Sequence, residues 1–219
     1  MLRYLFTLSL AFFLAGCNSN KSCTTCRYFD DGSAKPTVVL VPMLDSTSYD
    51  APWSLSEEFS SQIKTALETN DALYFPLDLN LNTNCKENPF GQDLRWMKNS
   101  FKGADFVVFM ELVEHEDVPL IKTVKDPKAV SEFRRNASNL NMAMRVRIVD
   151  VRKAEPAIVL QEMLKDSYYT ANTIEKTDYN QITWGSEHYK NTPMGIAHSE
   201  FAKMIEERIN DYIQLAKTR

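Results

Sequence analysis

The chain of 219 residues carries 25 Lys and Arg against 29 Asp and Glu, with 44% apolar residues, 11% aromatics, six glycines and four cysteines. That apolar share, beside a net charge of only −4, excludes a disordered chain and suits one domain, two at most. The acidic balance argues against a nucleic-acid partner, and four cysteines are too few for a disulfide scaffold.

The first four residues carry one charge, Arg3, and residues 5–14 then run apolar with only Thr7 and Ser9 interrupting. As a helix this run is about 15 Å long, half of what a bilayer's hydrocarbon requires, so it reads as the apolar part of a secretory signal and not as a membrane span. Leu14-Ala15-Gly16-Cys17 follows. This tetrapeptide resembles the lipobox of bacterial lipoproteins. The resemblance implies a signal peptide over 1–16, cleavage before Cys17, and a diacylglyceryl thioether on the Cys17 sulfur. Several acyl chains anchor stably where one does so only marginally, since each buried CH₂ contributes about 0.8 kcal/mol. Asn18, and not Asp, follows the cysteine, and in the best-studied sorting systems this favours the outer membrane. Residues 17–35 are polar and aperiodic, a lipidated tether with a reach of about 23 Å if flexible, and 36–219 form the periplasmic domain.

With Cys17 assigned to lipid, Cys23, Cys26 and Cys85 remain. Cys23-Thr24-Thr25-Cys26 has the spacing of a redox dithiol, but no strand precedes it to set a helix dipole under the first thiol. The reading adopted is a structural disulfide in an oxidising compartment, local or from the tether to Cys85, with one thiol over. No metal site and no cofactor are expected.

Along the domain, Thr37–Met43 is an apolar, β-branched run, as a strand buried on both faces would be. Ser54 and Glu57 form a capping-box pattern ahead of a helix striped by Leu55, Phe59, Ile63, Ala66 and Leu67. Residues 72–79 read as a second strand, at an edge because of Pro76. A helix over 93–101 and a third strand over 105–113 follow. Residues 140–149 alternate as a long strand with one wet face, and 157–164 return as its hairpin partner. Thr192-Pro193 opens a closing helix of about 24 residues, striped by Ala197, Phe201, Ile205, Ile209 and Ile213. The order β-α-β-α-β, hairpin, long helix predicts one α/β (α+β) domain of three-layer type with a mixed sheet.

The run Val38-Val39-Leu40-Val41-Pro42-Met43-Leu44-Asp45 before a capped helix, with the later hairpin and closing helix, resembles periplasmic domains related to the TolB N-terminal module, the curli secretion lipoprotein CsgG and the activator LpoB. With the lipobox, the whole is similar to uncharacterised chlamydial envelope lipoproteins. The resemblance implies a non-enzymatic, membrane-anchored protein that binds an envelope protein or a peptidoglycan-associated partner. Residues 114–139 lack the alternation of a membrane-spanning hairpin, which departs from the secretion-channel pattern.

Two long segments draw attention, since loops beyond about 12–15 residues are often functional. Residues 114–139 hold Glu114-His115-Glu116-Asp117, read as a solvated charge run and not as a metal cluster. Residues 167–191 set Tyr168, Tyr169, Tyr179, Trp184 and Tyr189 among polar residues, a composition suited to partner contacts. Neither a nucleophile elbow nor a phosphate loop is present, and His115, His188 and His198 are scattered, with His198 read as a partly exposed helical residue. Asp45 and Asp50 sit where open sheets place ligands, although turn formation explains them equally. The alternatives are a subunit of a CsgG-like secretion complex or a Cys/His-dependent envelope enzyme.

Overall fold

The computed structural model describes residues 26–76, 87–120, 137–171 and 177–218. A mixed sheet is sandwiched between helices. Strands β1 (Val38–Leu40) and β2 (Leu44–Asp45) lie end to end along one flank of β3 (Phe106–Pro119), both parallel to it. Strands β3, β4 (Ala137–Asp150) and β5 (Ala157–Ala171) then form an antiparallel meander. Helices α1 (Leu55–Thr69) and α4 (Pro193–Lys217) cover one face, and the short α2 (Arg95–Ser100) and its flanking loop cover part of the other. The fold class expected from the sequence is the one observed.

Element boundaries differ where charge disguised the period. The expected first strand is broken at 41–43, and the expected strand over 72–79 contributes a single bridge, Tyr74 to Thr37, before the described residues stop at 76. The strands β3, β4 and β5 outrun their expected ends, because beyond Leu112 polar residues stand on both faces of β3 (Glu114 and Glu116 on the outer, His115 and Asp117 on the inner) and Asp166 interrupts the inner face of β5. The supposed loop 114–139 is therefore strand at both ends, with 121–136 outside the described residues.

The helix starts expected at Ser54 and Thr192 are observed. The Glu57 N–H donates to Ser54 Oγ at 3.2 Å at the start of α1. The Gly195 N–H donates to Thr192 Oγ1 at 3.0 Å, with Pro193 at the first helical position of α4. The stripes Leu55, Phe59, Ile63, Leu67 and Phe201, Ile205, Ile209, Ile213 face each other over Phe106, Val108, Met110 and Leu112. Each such side chain contributes about 1.5–3 kcal/mol on burial, and this layer is the main core.

A smaller core lies on the opposite face, where Met97, Phe101 and Trp96 pack on Val107, Phe109 and Val149. Arg147 pins the covering loop. Its guanidinium donates to the carbonyls of Pro89 at 2.9 Å, Phe90 at 2.9 Å and Gly91 at 2.6 Å, and its Nε to Gln161 Oε1 at 2.8 Å.

The end of the sheet where β3 begins is called the base, and the Pro119 end the tip. At the base the chain enters through a small turn that bridges Tyr28 to Ala34, and buried Lys35 pairs with Asp71. The C-terminal end of α4 closes over it, with Lys217 Nζ 4.6 Å from the centre of the Phe29 ring and Arg152 donating to the Ala216 carbonyl at 2.9 Å.

A buried Glu–His–His relay as candidate functional site

Four elements meet near the upper half of the main core, and each contributes a polar side chain to one buried cluster. Glu58 comes from α1, His115 from β3, and His198 from α4. Tyr189 comes from α3 (Glu187–Lys190), the short helix leading into α4. Glu58 and His198 are wholly inaccessible, and His115 is 5% exposed.

Glu58 is the hub. Its Oε2 accepts from Trp53 Nε1 at 2.7 Å, and its Oε1 accepts from Gln62 Nε2 at 2.9 Å and from the Tyr189 hydroxyl. His198 Nδ1 lies 3.0 Å from the same Oε1 and 2.9 Å from the Tyr189 oxygen. Burial pushes the Glu58 carboxyl up, but the hydrogen bond and charge of His198, then Tyr189 and Trp53, more than offset it and hold the group below its ordinary range. Burial, and then the neighbouring Glu58 charge, push the Tyr189 phenol well above its ordinary value, so it stays a donor.

Proton placement follows from the geometry. With Glu58 ionised, His198 carries a proton on Nδ1, shared between the carboxylate and the Tyr189 oxygen. The Nε2 atoms of His198 and His115 are 2.8 Å apart, a distance that requires one proton between them. His115 has one further polar atom, Nδ1. That atom is buried without a hydrogen-bond partner, beneath the Tyr49 ring at a centroid distance of 4.2 Å. Burial, then the charge of His198, push His115 down to about 3.

Chemically this is a chain of three groups joined by two hydrogen bonds, carboxylate to imidazole to imidazole. It is closed off from solvent, and Phe59 stacks at 4.8 Å on His198 from within the core. Such an arrangement locks α1, α3, α4 and β3 together, because removing any one member strands a buried polar group.

The structure corrects two sequence expectations here. His198 is not partly exposed, since α4 turns this edge of its stripe onto α1. His115 is not part of a solvated run, since it faces inward while Glu116 and Asp117 are exposed. The sequence signal of this cluster is paired: Glu58 beside Phe59 and His198 beside Ala197 each border an apolar stripe, on two helices whose stripes pack together.

The aromatic group expected to meet a partner is divided. Tyr189 is 1% exposed and spends its hydroxyl on Glu58, so it presents nothing to a partner. Tyr168 and Tyr169 belong to β5 and not to a loop, so alternation sends them to opposite faces. Tyr168 packs edge-on against Phe201, and Tyr169 is 58% exposed. Tyr179 is half-buried, edge-on to Trp53 with its hydroxyl accepting from the Met194 N–H at 3.4 Å, and Trp184 is half-buried in the following turn. Asp45 makes the turn that the sequence allowed, its Oδ1 accepting from the Thr47 N–H at 2.9 Å. Cys26 is exposed at the start of the described residues, while Cys17, Cys23 and Cys85 lie outside them. Among the described residues no three His, Cys, Asp or Glu side chains are grouped to hold a metal, and no helix is long and apolar enough to cross a membrane.

A family model described as a family of unknown function, DUF7499, matches residues 24–217. The chain belongs to this family. Among curated proteins no relative matches. Among solved structures the family member is similar to the hypothetical protein CT253 from Chlamydia trachomatis, with a TM-score of 0.64 and 23% identity over 82% of this chain and 98% of that one. It is also similar to protein XCC0632 from Xanthomonas campestris, with a TM-score of 0.49 and 6% identity over 84% of this chain and 89% of that one. A third is the lipoprotein GNA1162 from Neisseria meningitidis, with a TM-score of 0.37 and 13% identity over 78% of this chain and 99% of that one. The chlamydial likeness read from the sequence is thus met at the level of fold.

Proposed function

We propose that this protein is an envelope lipoprotein, held by acyl chains on Cys17 at the periplasmic side of the outer membrane, whose domain binds a protein or peptidoglycan-associated partner without catalysis. The observation that carries the reading is Leu14-Ala15-Gly16-Cys17 placed directly after a ten-residue apolar run. The relay supports the non-catalytic part, since Glu58, His115 and His198 spend their hydrogen bonds on one another and on Tyr189, Trp53 and Gln62 inside the core.

The test is the intact mass of the membrane-extracted protein beside its Cys17→Ser variant. The expected product starts at residue 17 and carries a diacylglyceryl thioether that the variant lacks. A retained leader or an unmodified sulfur overturns the reading. Crosslinking and mass spectrometry on whole envelopes then tests the partner, and recovery of no envelope protein counts against a binding role. The competing enzymatic reading has one observation in its favour, the bare His115 Nδ1. It requires that His115→Ala or His198→Ala abolish a cellular phenotype while the protein's abundance is unchanged.

A further inference from the structure

One buried nitrogen has no partner and only a light cover. His115 Nδ1 makes no hydrogen bond, so it bears the desolvation cost of a polar atom with nothing in return. What lies on it is the ring of Tyr49, tilted by 55° with the centroids 4.2 Å apart. Tyr49 belongs to residues 46–53, which join β2 to α1 and are tied at both ends. The Ser46 N–H donates to the Leu112 carbonyl at 2.9 Å, and Trp53 Nε1 donates to Glu58 at 2.7 Å. Between these ties, residues 48–52 make no hydrogen bond with the described residues, by backbone or by side chain, and Ser48, Asp50 and Pro52 are exposed. A stretch held so lightly opens more readily than the helices and strands around it.

The groups facing His115 decide what a second proton on its ring would do. Across Nε2, His198 of α4 opposes that proton, and Glu58 of α1 beyond it favours it. Tyr189 of α3 reaches His115 only through these two. On the open side, Asp117 stands two residues further along the same face of β3, and Asp166 of β5 lies in the same cross-strand row beyond Met142 of β4. Both carboxylates are exposed and favour an imidazolium. Tyr49 stays neutral, because burial, then Asp117 and Tyr179, push its phenol above the ordinary value. Covered, His115 is held down to about 3. With the Tyr49 ring lifted, the imidazole meets water and titrates near its ordinary 6.5, so the open form gains on the closed one by about tenfold for each pH unit below 6.5.

We infer that residues 48–52 are a proton-operated cap. While His115 carries one proton, the Tyr49 ring lies shut on its Nδ1. A second proton, taken up from solvent, leaves a charged N–H there that only water or Asp117 can satisfy, and the ring swings off and opens this edge of the main core. The cap belongs to the domain alone and is independent of the Cys17 anchor.

The test uses the membrane-extracted protein in detergent micelles. One sample carries carbon-13 at Cε1 of its three histidines, and a second carries trifluoromethylphenylalanine at position 49 as a fluorine reporter. His115→Phe identifies the His115 signal, and His115→Gln replaces that variant if it does not fold. Between pH 8 and 3 the fluorine signal should move to its solvent-exposed position at the same midpoint as the His115 ring signal, with the circular dichroism of the fold kept, and it should stay still once His115 is replaced. Tyr49→Ala should raise the His115 midpoint by about one pH unit or more, whereas Tyr49→Phe, which keeps the ring, should leave it in place. A His115 that gains its proton while the fluorine signal is still, a fluorine shift that persists without His115, a midpoint unmoved in Tyr49→Ala, or loss of the whole fold at that same midpoint would each overturn the inference.

Discussion

Replacing His115 by Phe should flatten the acid side of the stability curve. In the folded state His115 is pushed down to about 3 from an ordinary 6.5 by burial and by His198, so below pH 6.5 the unfolded chain takes up a proton that the folded chain refuses. Stability then falls as pH falls, by about 1.4 kcal/mol per pH unit, which reaches about 2 kcal/mol at pH 5 relative to pH 8. Glu58 acts in the same direction but lower. Its folded value lies below its ordinary 4.5, so the stability it contributes is present above 4.5 and is lost only as pH falls through the folded value. The window from 6.5 to 4.5 therefore belongs to His115 in any difference between wild type and variant. Phe also removes the hydrogen-bond partner of His198 Nε2, costing about 1–3 kcal/mol at pH 8 for the buried nitrogen left bare. Urea unfolding followed by tryptophan fluorescence at half-unit pH steps measures both effects, provided the slope with urea is unchanged. The two curves should differ most at pH 8 and converge towards pH 5. A constant gap between them from pH 8 to 5 would refute the placement of a neutral, sealed His115.

Three further outcomes follow from single side chains. Glu58→Gln puts an amide N–H₂ against Trp53 or against Tyr189 and His198, and should cost about 3 kcal/mol in urea unfolding because buried partners lose their anion; a cost under 1 kcal/mol would contradict the hub role. Arg147→Lys keeps the charge but loses the fork that holds three carbonyls and Gln161, so about 2 kcal/mol of stability and protease resistance around 87–93 should go together. Gly195→Ala would place a Cβ 2.1 Å from the Tyr189 carbonyl oxygen and 2.9 Å from its carbon, both backbone atoms. That overpacking should cost about 2–3 kcal/mol and shift the emission of Trp53, whose ring stands edge-on to Tyr189 at 5.2 Å.

Much of the scaffold is legible in the sequence because it is local. The closing helix is written twice, once in Thr192-Pro193 and once in a stripe of fourfold spacing, and α1 likewise in Ser54 and its own stripe. Strand ends were harder. From Glu114 to Pro119 and from Lys165 to Thr170 charged and hydroxyl residues stand on both faces, Asp117, Asp166 and Thr170 on the core side among them, so the apolar alternation that marks a strand is interrupted. The relay was illegible for a different reason. Glu58 and His198 are 140 residues apart, and only the packing of α1 on α4 makes them neighbours. Local pattern registers each as one polar residue beside a stripe, a place where most polar residues simply face water.

His115 depends on an irregularity that no alternation rule supplies. Leu112 faces the main core, so strict alternation would send Val113 out, Glu114 in and His115 out. The register instead pairs Leu112 with Met144, Glu114 with Ala143 and His115 with Met142, with a bulge between Leu112 and Glu114. One extra residue, Val113, is absorbed there, and every side chain beyond it changes face. Glu114 and Glu116 are thereby turned to the outer side and His115 is turned in, onto His198. The same step puts Asp117 and Pro119 on the inner side near the tip, where both are exposed. A single bulge thus accounts for both unusual features of this strand: an imidazole held in the core without a partner for one nitrogen, and an acidic end held in water.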